Sequence, residues 1–184
     1  MKDSNETIIT ARNFLKGKIE SLKKDSTQCL FKEHPAPFPS LLYCFSVIDL
    51  MGALYAGNAQ SNAPVTQQAN DYMTGVMKYP QNISDLLQKV FRHKLVHLAQ
   101  PNPATNYDNK RYLWYFCHES NRDIHLKVDP TGQKNEFRFR IGIWNFVEDI
   151  EDSIVGSNGY LVQLTNNVGN MQKNFVKVYK EIRI

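Results

Sequence analysis

The chain has 184 residues, 42% of them hydrophobic, and a formal net charge of +4 with an isoelectric point near 8.9. A length of this order suits one domain able to bury a core, and the apolar fraction excludes a disordered polypeptide. The modest basic excess favours contact with a polyanion without demanding one, and Cys29, Cys44 and Cys117 lack the close pairing of a zinc knuckle or redox site, so they read as free buried thiols.

The residues up to Glu6 lack the basic-then-apolar pattern of a secretory signal, so the expected compartment is the cytoplasm. Residues 6–24 set Ile8, Ala11, Leu15, Ile19 and Leu22 at helical spacing with basic residues between them, which predicts an amphipathic first helix. Pro35, Pro37 and Pro39 remove donors and restrict their predecessors, so residues 34–39 read as a linker. A second helix, apolar nearly all round, is expected from Ser40 to Gly57, with Gly57-Asn58 as its stop. Its most apolar part, 41–56, carries Asp49 and falls short of the roughly 20 residues that cross a bilayer, so it reads as a buried helix with no membrane role. Residues 65–79 predict a weaker third helix with Ala69, Tyr72, Met73 and Val76 inward, ended by Tyr79-Pro80. Residues 82–98 predict a fourth, with Ile83, Leu86, Leu87, Val90, Phe91 and Leu98 on one arc, Asn82 or Ser84 as its cap, and Pro101 and Pro103 beyond its end.

The period then changes to two. Phe137, Phe139, Ile141 and Ile143 alternate with Arg138 and Arg140, the mark of a strand, and residues 111–117 and 124–128 are its expected partners. The turn signal Asp129-Pro130-Thr131-Gly132 predicts a small antiparallel sheet. Residues 144–155 return to helix, and the run from Gly156 to Gly159 breaks it. Leu161, Leu164, Val168, Met171, Phe175, Val178 and Ile182 then recur in steps of three and four, a heptad seam that packs inside the bundle or against the same helix of a second subunit. The expected fold is mainly α, a single domain over 1–184: a helical bundle over about 5–100 and 144–184 with a small antiparallel β-sheet over about 111–143.

The densest chemistry lies in Phe91-Arg92-His93-Lys94-Leu95-Val96-His97, where a polar residue follows an arginine directly and a histidine stands five positions beyond it. Arginine is a permanent cation whose planar fork matches two phosphate oxygens, and histidine exchanges protons near neutral pH. Arg92, His93 and His97, near the end of a helix and beside an apolar helix with one carboxylate, resemble the signature of the HEPN superfamily: Arg, then Asn, Asp or His, then a few residues, then His. The wording Leu86-Leu87, Phe91-Arg92, Leu95-Val96-His97 and Ile48-Asp49-Leu50-Met51-Gly52 is also similar to bacterial members of that group. The resemblance covers about residues 38–100, and Lys94 departs from the small residue expected at its position.

What the resemblance implies is an up-and-down bundle and a metal-independent endoribonuclease that uses no cofactor. Arg92 would hold the scissile phosphate and offset developing charge. His97 would act as general base for the 2′-hydroxyl or general acid for the leaving 5′-oxygen, giving 2′,3′-cyclic phosphate and 5′-hydroxyl ends. His93, or Asp49 behind it, would orient His97 or contact the phosphate. Five residues at about 100° each leave Arg92 and His97 about 140° apart around one helix, so they do not converge alone. A symmetric homodimer that joins two such helix ends builds a composite site, as the family resemblance also implies. A toxin or phage-defence role, with an antitoxin or regulatory partner, follows by analogy alone.

Lys94, Arg138 and Arg140 are the candidate RNA-contacting cations, the two arginines because basic groups beside Phe137 and Phe139 suit single strands. Plainer assignments stand beside these: Arg92 as a solvated residue, His97 half-buried at the edge of the apolar arc, Asp49 as a carboxylate bonded to Arg92 or a histidine, and the arginines as the outer face of a hairpin. His93 and His97 are also an i, i+4 pair able to chelate zinc with His118 or His125, but no Glu follows the first His and no close Cys or Asp completes the set, so no metal is expected. The rival function is a non-catalytic dimerising or nucleotide-binding module that keeps the motif for packing.

Overall fold

Thr7, Ala11, Leu15, Ile19, Leu22, Ser26 and Leu30 recur at steps of three and four, and in the computed structural model of the chain they form the buried stripe of one helix, α1 (Ser4–Leu30). The structure describes residues 4–92, 95, 104–118 and 120–182. α1 runs past the expected end at 24 because Ser26 and Leu30 continue the stripe. The buried Ser26 hydroxyl is satisfied by Ser40, 2.8 Å away on the next helix.

That helix, α2 (Pro37–Ala56), begins inside the segment expected as a linker. Pro37 and Pro39 lie in its first turn, where backbone N–H groups have no intrahelical partner, so the missing donors cost nothing. Gly57, at φ +72°, stops it as expected and donates its N–H to the Ala53 carbonyl at 2.8 Å. At 20 residues α2 is long and apolar enough to cross a bilayer, which corrects the expectation that it falls short, yet half of it is buried inside the protein and it packs against α1, α3 and two helices of the C-terminal half. Gly52 permits the closest of these approaches. A Cβ there would lie 2.7 Å from backbone atoms of Gln68 and Ala69 in α3 (Val65–Gly75).

α3 ends earlier than 79, and Lys78, at φ +62°, turns the chain into Tyr79-Pro80. α4 (Gln81–Asp85) follows immediately, and neither Asn82 nor Ser84 caps it: Ser84 is buried and donates to the Asn70 side chain at 2.7 Å. From Leu86 to Arg92 the helix widens into π geometry, with hydrogen bonds reaching five residues back. The wider turn carries Gln88 to the buried side beside Leu86 and Leu87, which the α-helical arc did not anticipate.

Four strands follow, β1 (Ala104–Tyr107), β2 (Lys110–Cys117), β3 (Val128–Pro130) and β4 (Glu136–Gly142), in the order β1-β2-β4-β3. Asp108 and Asn109, both at positive φ, make the tight turn between β1 and β2. β3 and β4 pair antiparallel, but β2 and β4 are parallel, so the sheet is mixed and the antiparallel expectation is corrected. Alternating side chains report which face is buried and nothing about strand direction. The loop after β2 carries the chain one position too far, and β4 folds back into the gap between β2 and β3. Most of the strand expected at 124–128 is turn, with Leu126 at φ +58° and Val128 alone in β3.

α5 (Ile143–Val155) starts directly after β4, and its burial of Phe146, Val147, Ile150 and Ile154 follows the expected helical period. The heptad seam is not one helix. It divides into α6 (Tyr160–Thr165), a 3-10 turn over Val168–Asn170 and α7 (Met171–Glu181), because Asn167, Gly169 and Asn170 adopt positive φ. Asn and Gly tolerate that region at little cost. Leu164, Met171, Phe175 and Val178 are buried in the bundle, while Val168 and Ile182 are 52% and 40% exposed. The chain is therefore mainly helical, with its core around α2 and the sheet in the C-terminal half.

Candidate functional site

α2 holds a single charged residue, Asp49, and the π-helical turn ends by presenting Arg92 to it. Arg92 donates from Nε and Nη2 to the same carboxylate oxygen, Oδ2, at 2.9 and 2.8 Å. The two side chains are 20% and 22% exposed, so the pair sits at the edge of the core with one side toward solvent. Burial pushes the Asp49 carboxyl above its ordinary value, against the hydrogen bond and charge of Arg92, which pull it down. Asp49 Oδ1 is buried with no hydrogen-bond partner among the described residues. A guanidinium has five donor hydrogens in a plane, and Asp49 engages one edge. The other edge is held in a fixed orientation, suited to two oxygens of a phosphate.

His93, Lys94 and His97 lie outside the described residues. Leu95, between them, is buried in the core. The structure therefore joins two of the expected site residues, Arg92 and Asp49, and realises the plainer assignment in which the carboxylate pairs with Arg92. Sequence reasoning missed Gln88, on the same π-helical segment, buried with neither amide atom hydrogen-bonded among the described residues. Asp85, just before this segment, accepts from Asn70 and Gln81 at 3.1 Å each and stands 3.5 Å from the Tyr107 hydroxyl, which links the motif helix to the sheet.

Arg138 and Arg140 share the outer face of β4. Their expected aromatic companions do not: Phe139 is fully buried, and Phe137 stacks on Tyr112 at 5.9 Å on the core side. Arg138 is exposed, whereas Arg140 makes an ion pair with Asp129 of β3 at 3.1 Å. The outward aromatic is Tyr115 on β2, 50% exposed and opposite Arg140 in the parallel register.

A second polar cluster surrounds Asp149 of α5. Its Oδ2 accepts from the Tyr79 hydroxyl at 2.5 Å and from His125 Nε2 at 3.1 Å, and its Oδ1 pairs with Arg122. Burial alone would raise the Asp149 carboxyl, but hydrogen bonds from His125, Arg122 and Tyr79 outweigh it and hold the group below the usual carboxylate range. The same burial, followed by the nearby carboxylate, pushes the Tyr79 hydroxyl well up. His125 Nδ1 accepts the Gly142 N–H at 3.2 Å, which places the ring proton on Nε2 and occupies both nitrogens of a residue weighed above as a zinc ligand. Among the described residues no three His, Cys, Asp or Glu side chains are grouped to hold a metal. This cluster was legible only as a carboxylate on the buried side of α5, between Phe146 and Ile150.

Compared with protein-family models, curated proteins and solved structures, the chain matches none.

Proposed function

We propose that the protein is a metal-independent endoribonuclease of the HEPN type, acting in the cytoplasm as a homodimer on single-stranded or structured RNA. The observation that carries this reading is the Arg92–Asp49 pair. A carboxylate on the central helix fixes one edge of an arginine at the edge of the core, and the other edge has no partner among the described residues, which suits an anion. Arg92 then holds the scissile phosphate. His97 takes the proton of the 2′-hydroxyl, whose oxygen attacks phosphorus, and a second acid, His93 or the His97 of the other subunit, protonates the 5′-oxygen as its bond to phosphorus breaks. Lys94 holds the RNA backbone near the site. A toxin or defence role, restrained by an antitoxin or other regulatory chain, belongs to the same reading.

The test is cleavage of a labelled RNA panel in EDTA by wild type, Arg92→Ala and His97→Ala, with product ends identified and mass measured in solution. Expected are cyclic-phosphate ends from a dimer, with each variant slower by about a hundredfold or more. A monomer at assay concentration, or variants that cleave as well as wild type, overturns it. The same pair favours one rival, because an arginine that gives two hydrogen bonds to a half-buried carboxylate also suits pure packing. A wild-type protein that cleaves nothing yet binds a nucleotide or a partner chain establishes that non-catalytic module.

A further inference from the structure

The outer face of the sheet has features that neither the core nor the Arg92 site uses. Parallel pairing of β2 with β4 sets Arg111, Leu113 and Tyr115 beside Glu136, Arg138 and Arg140 on this face. Tyr115 is 50% exposed and Arg138 is exposed, although an aromatic ring in a strand gains most by packing. At one end the face opens into a hollow of about 410 Å³ lined by Lys110, Arg111 and Lys134, with Asp108 the one acidic side chain in its wall. Arg111 is partly neutralised by Glu136 at 3.4 Å and Arg140 by Asp129, and Lys110 lies over the Phe137 ring at 5.6 Å, while Lys134 and Arg138 enter no ion pair among the described residues. Two cations without an ion pair, Lys134 at the hollow and Arg138 on β4, thus accompany the exposed ring of Tyr115.

We infer that this face is a binding platform for single-stranded RNA, separate from the Arg92 site. Lys134 and Arg138 hold the phosphates and Tyr115 stacks on a base. Charge complementarity selects a polyanion, and the exposed ring selects one with accessible flat faces, since bases paired in a duplex cannot stack on a protein side chain. Four strands are wide enough to seat two or three nucleotides. The choice of RNA over DNA rests on the function proposed above. The sheet meets the motif helix where the Tyr107 hydroxyl approaches Asp85 at 3.5 Å.

The test is fluorescence anisotropy, in the Arg92→Ala background so that the probe is not cut, with a labelled twelve-nucleotide oligouridylate, beside the same length of single-stranded DNA and of duplex RNA. Lys134→Glu with Arg138→Glu is expected to weaken oligouridylate binding more than tenfold and to flatten its salt dependence by about 0.7 per cation removed. Lys24→Glu, an exposed reversal on α1, is expected to change binding less than twofold. Tyr115→Ala is expected to weaken it about tenfold and Tyr115→Phe to restore it, which separates stacking from misfolding. Equal loss in Lys24→Glu, no effect of Tyr115→Ala, or tighter binding of duplex overturns the platform. DNA bound as tightly as RNA overturns the choice of RNA. Arg92→Ala keeps the two readings apart: binding intact with no cleavage by wild type leaves the platform and removes the nuclease, and cleavage indifferent to the sheet variants does the reverse.

Discussion

At the scale of single residues, two aspartates show how burial is offset in opposite measure. Asp149 gains three donors and is held below its ordinary value, whereas Asp49 gains one arginine and stays above it. Removing Arg92 outright strands the Asp49 carboxylate, at a cost of about 1–2 kcal/mol for a partly wetted pair, so an alanine variant mixes lost chemistry with lost stability. Arg92→Lys separates them, because it keeps the cation and loses the fork. It is expected to change the free energy of unfolding in urea by less than about 1 kcal/mol while RNA cleavage falls tenfold or more. Cleavage that falls only in step with stability means that the pair serves packing. Asp49 was legible as a carboxylate in an apolar helix, and Arg92 as its neighbour. Gln88 was not, because its inward turn depends on a π-helical widening that no α-helical wheel contains.

Elements were legible where one period governs them. α5 begins one residue before the expected start, and the Gly57 stop and the Gly156–Gly159 break are where glycine placed them. Direction and continuity were not legible: Phe137 and Phe139 announce a buried face whichever way β2 runs, and a heptad count is blind to the left-handed residues Asn167, Gly169 and Asn170. Contacts across elements decide what a glycine is worth. Gly52 lies against the α3 backbone, so Gly52→Ala is expected to cost about 1–3 kcal/mol by forcing α2 and α3 apart. Gly17, in the interior of α1, has nothing within 4 Å of its position for a Cβ, so Gly17→Ala is expected to gain about 0.5–1 kcal/mol. Urea unfolding of the two variants checks both signs.

For the whole molecule, Asp149 ties together three parts distant in sequence: the α3–α4 corner through Tyr79, the loop after β2 through Arg122 and His125, and α5 itself. Its folded carboxyl lies below the unfolded value of about 3.9, so the native state binds fewer protons there. The stability it contributes is complete above about pH 5 and is lost as pH falls through 3.9 toward the folded value. Asp149→Asn is expected to cost about 2–3 kcal/mol at pH 7 and to make the acid limb of stability against pH shallower. An unchanged limb means that other carboxylates govern acid unfolding. The order β1-β2-β4-β3 has a separate consequence for association. It leaves the longest strands, β2 and β4, inside and puts strands of four and three residues at the margins, the latter ending in Pro130, which has no N–H to offer. Such short margins among the described residues offer a second chain little ladder to extend, so edge-to-edge growth of the sheet into fibres is disfavoured.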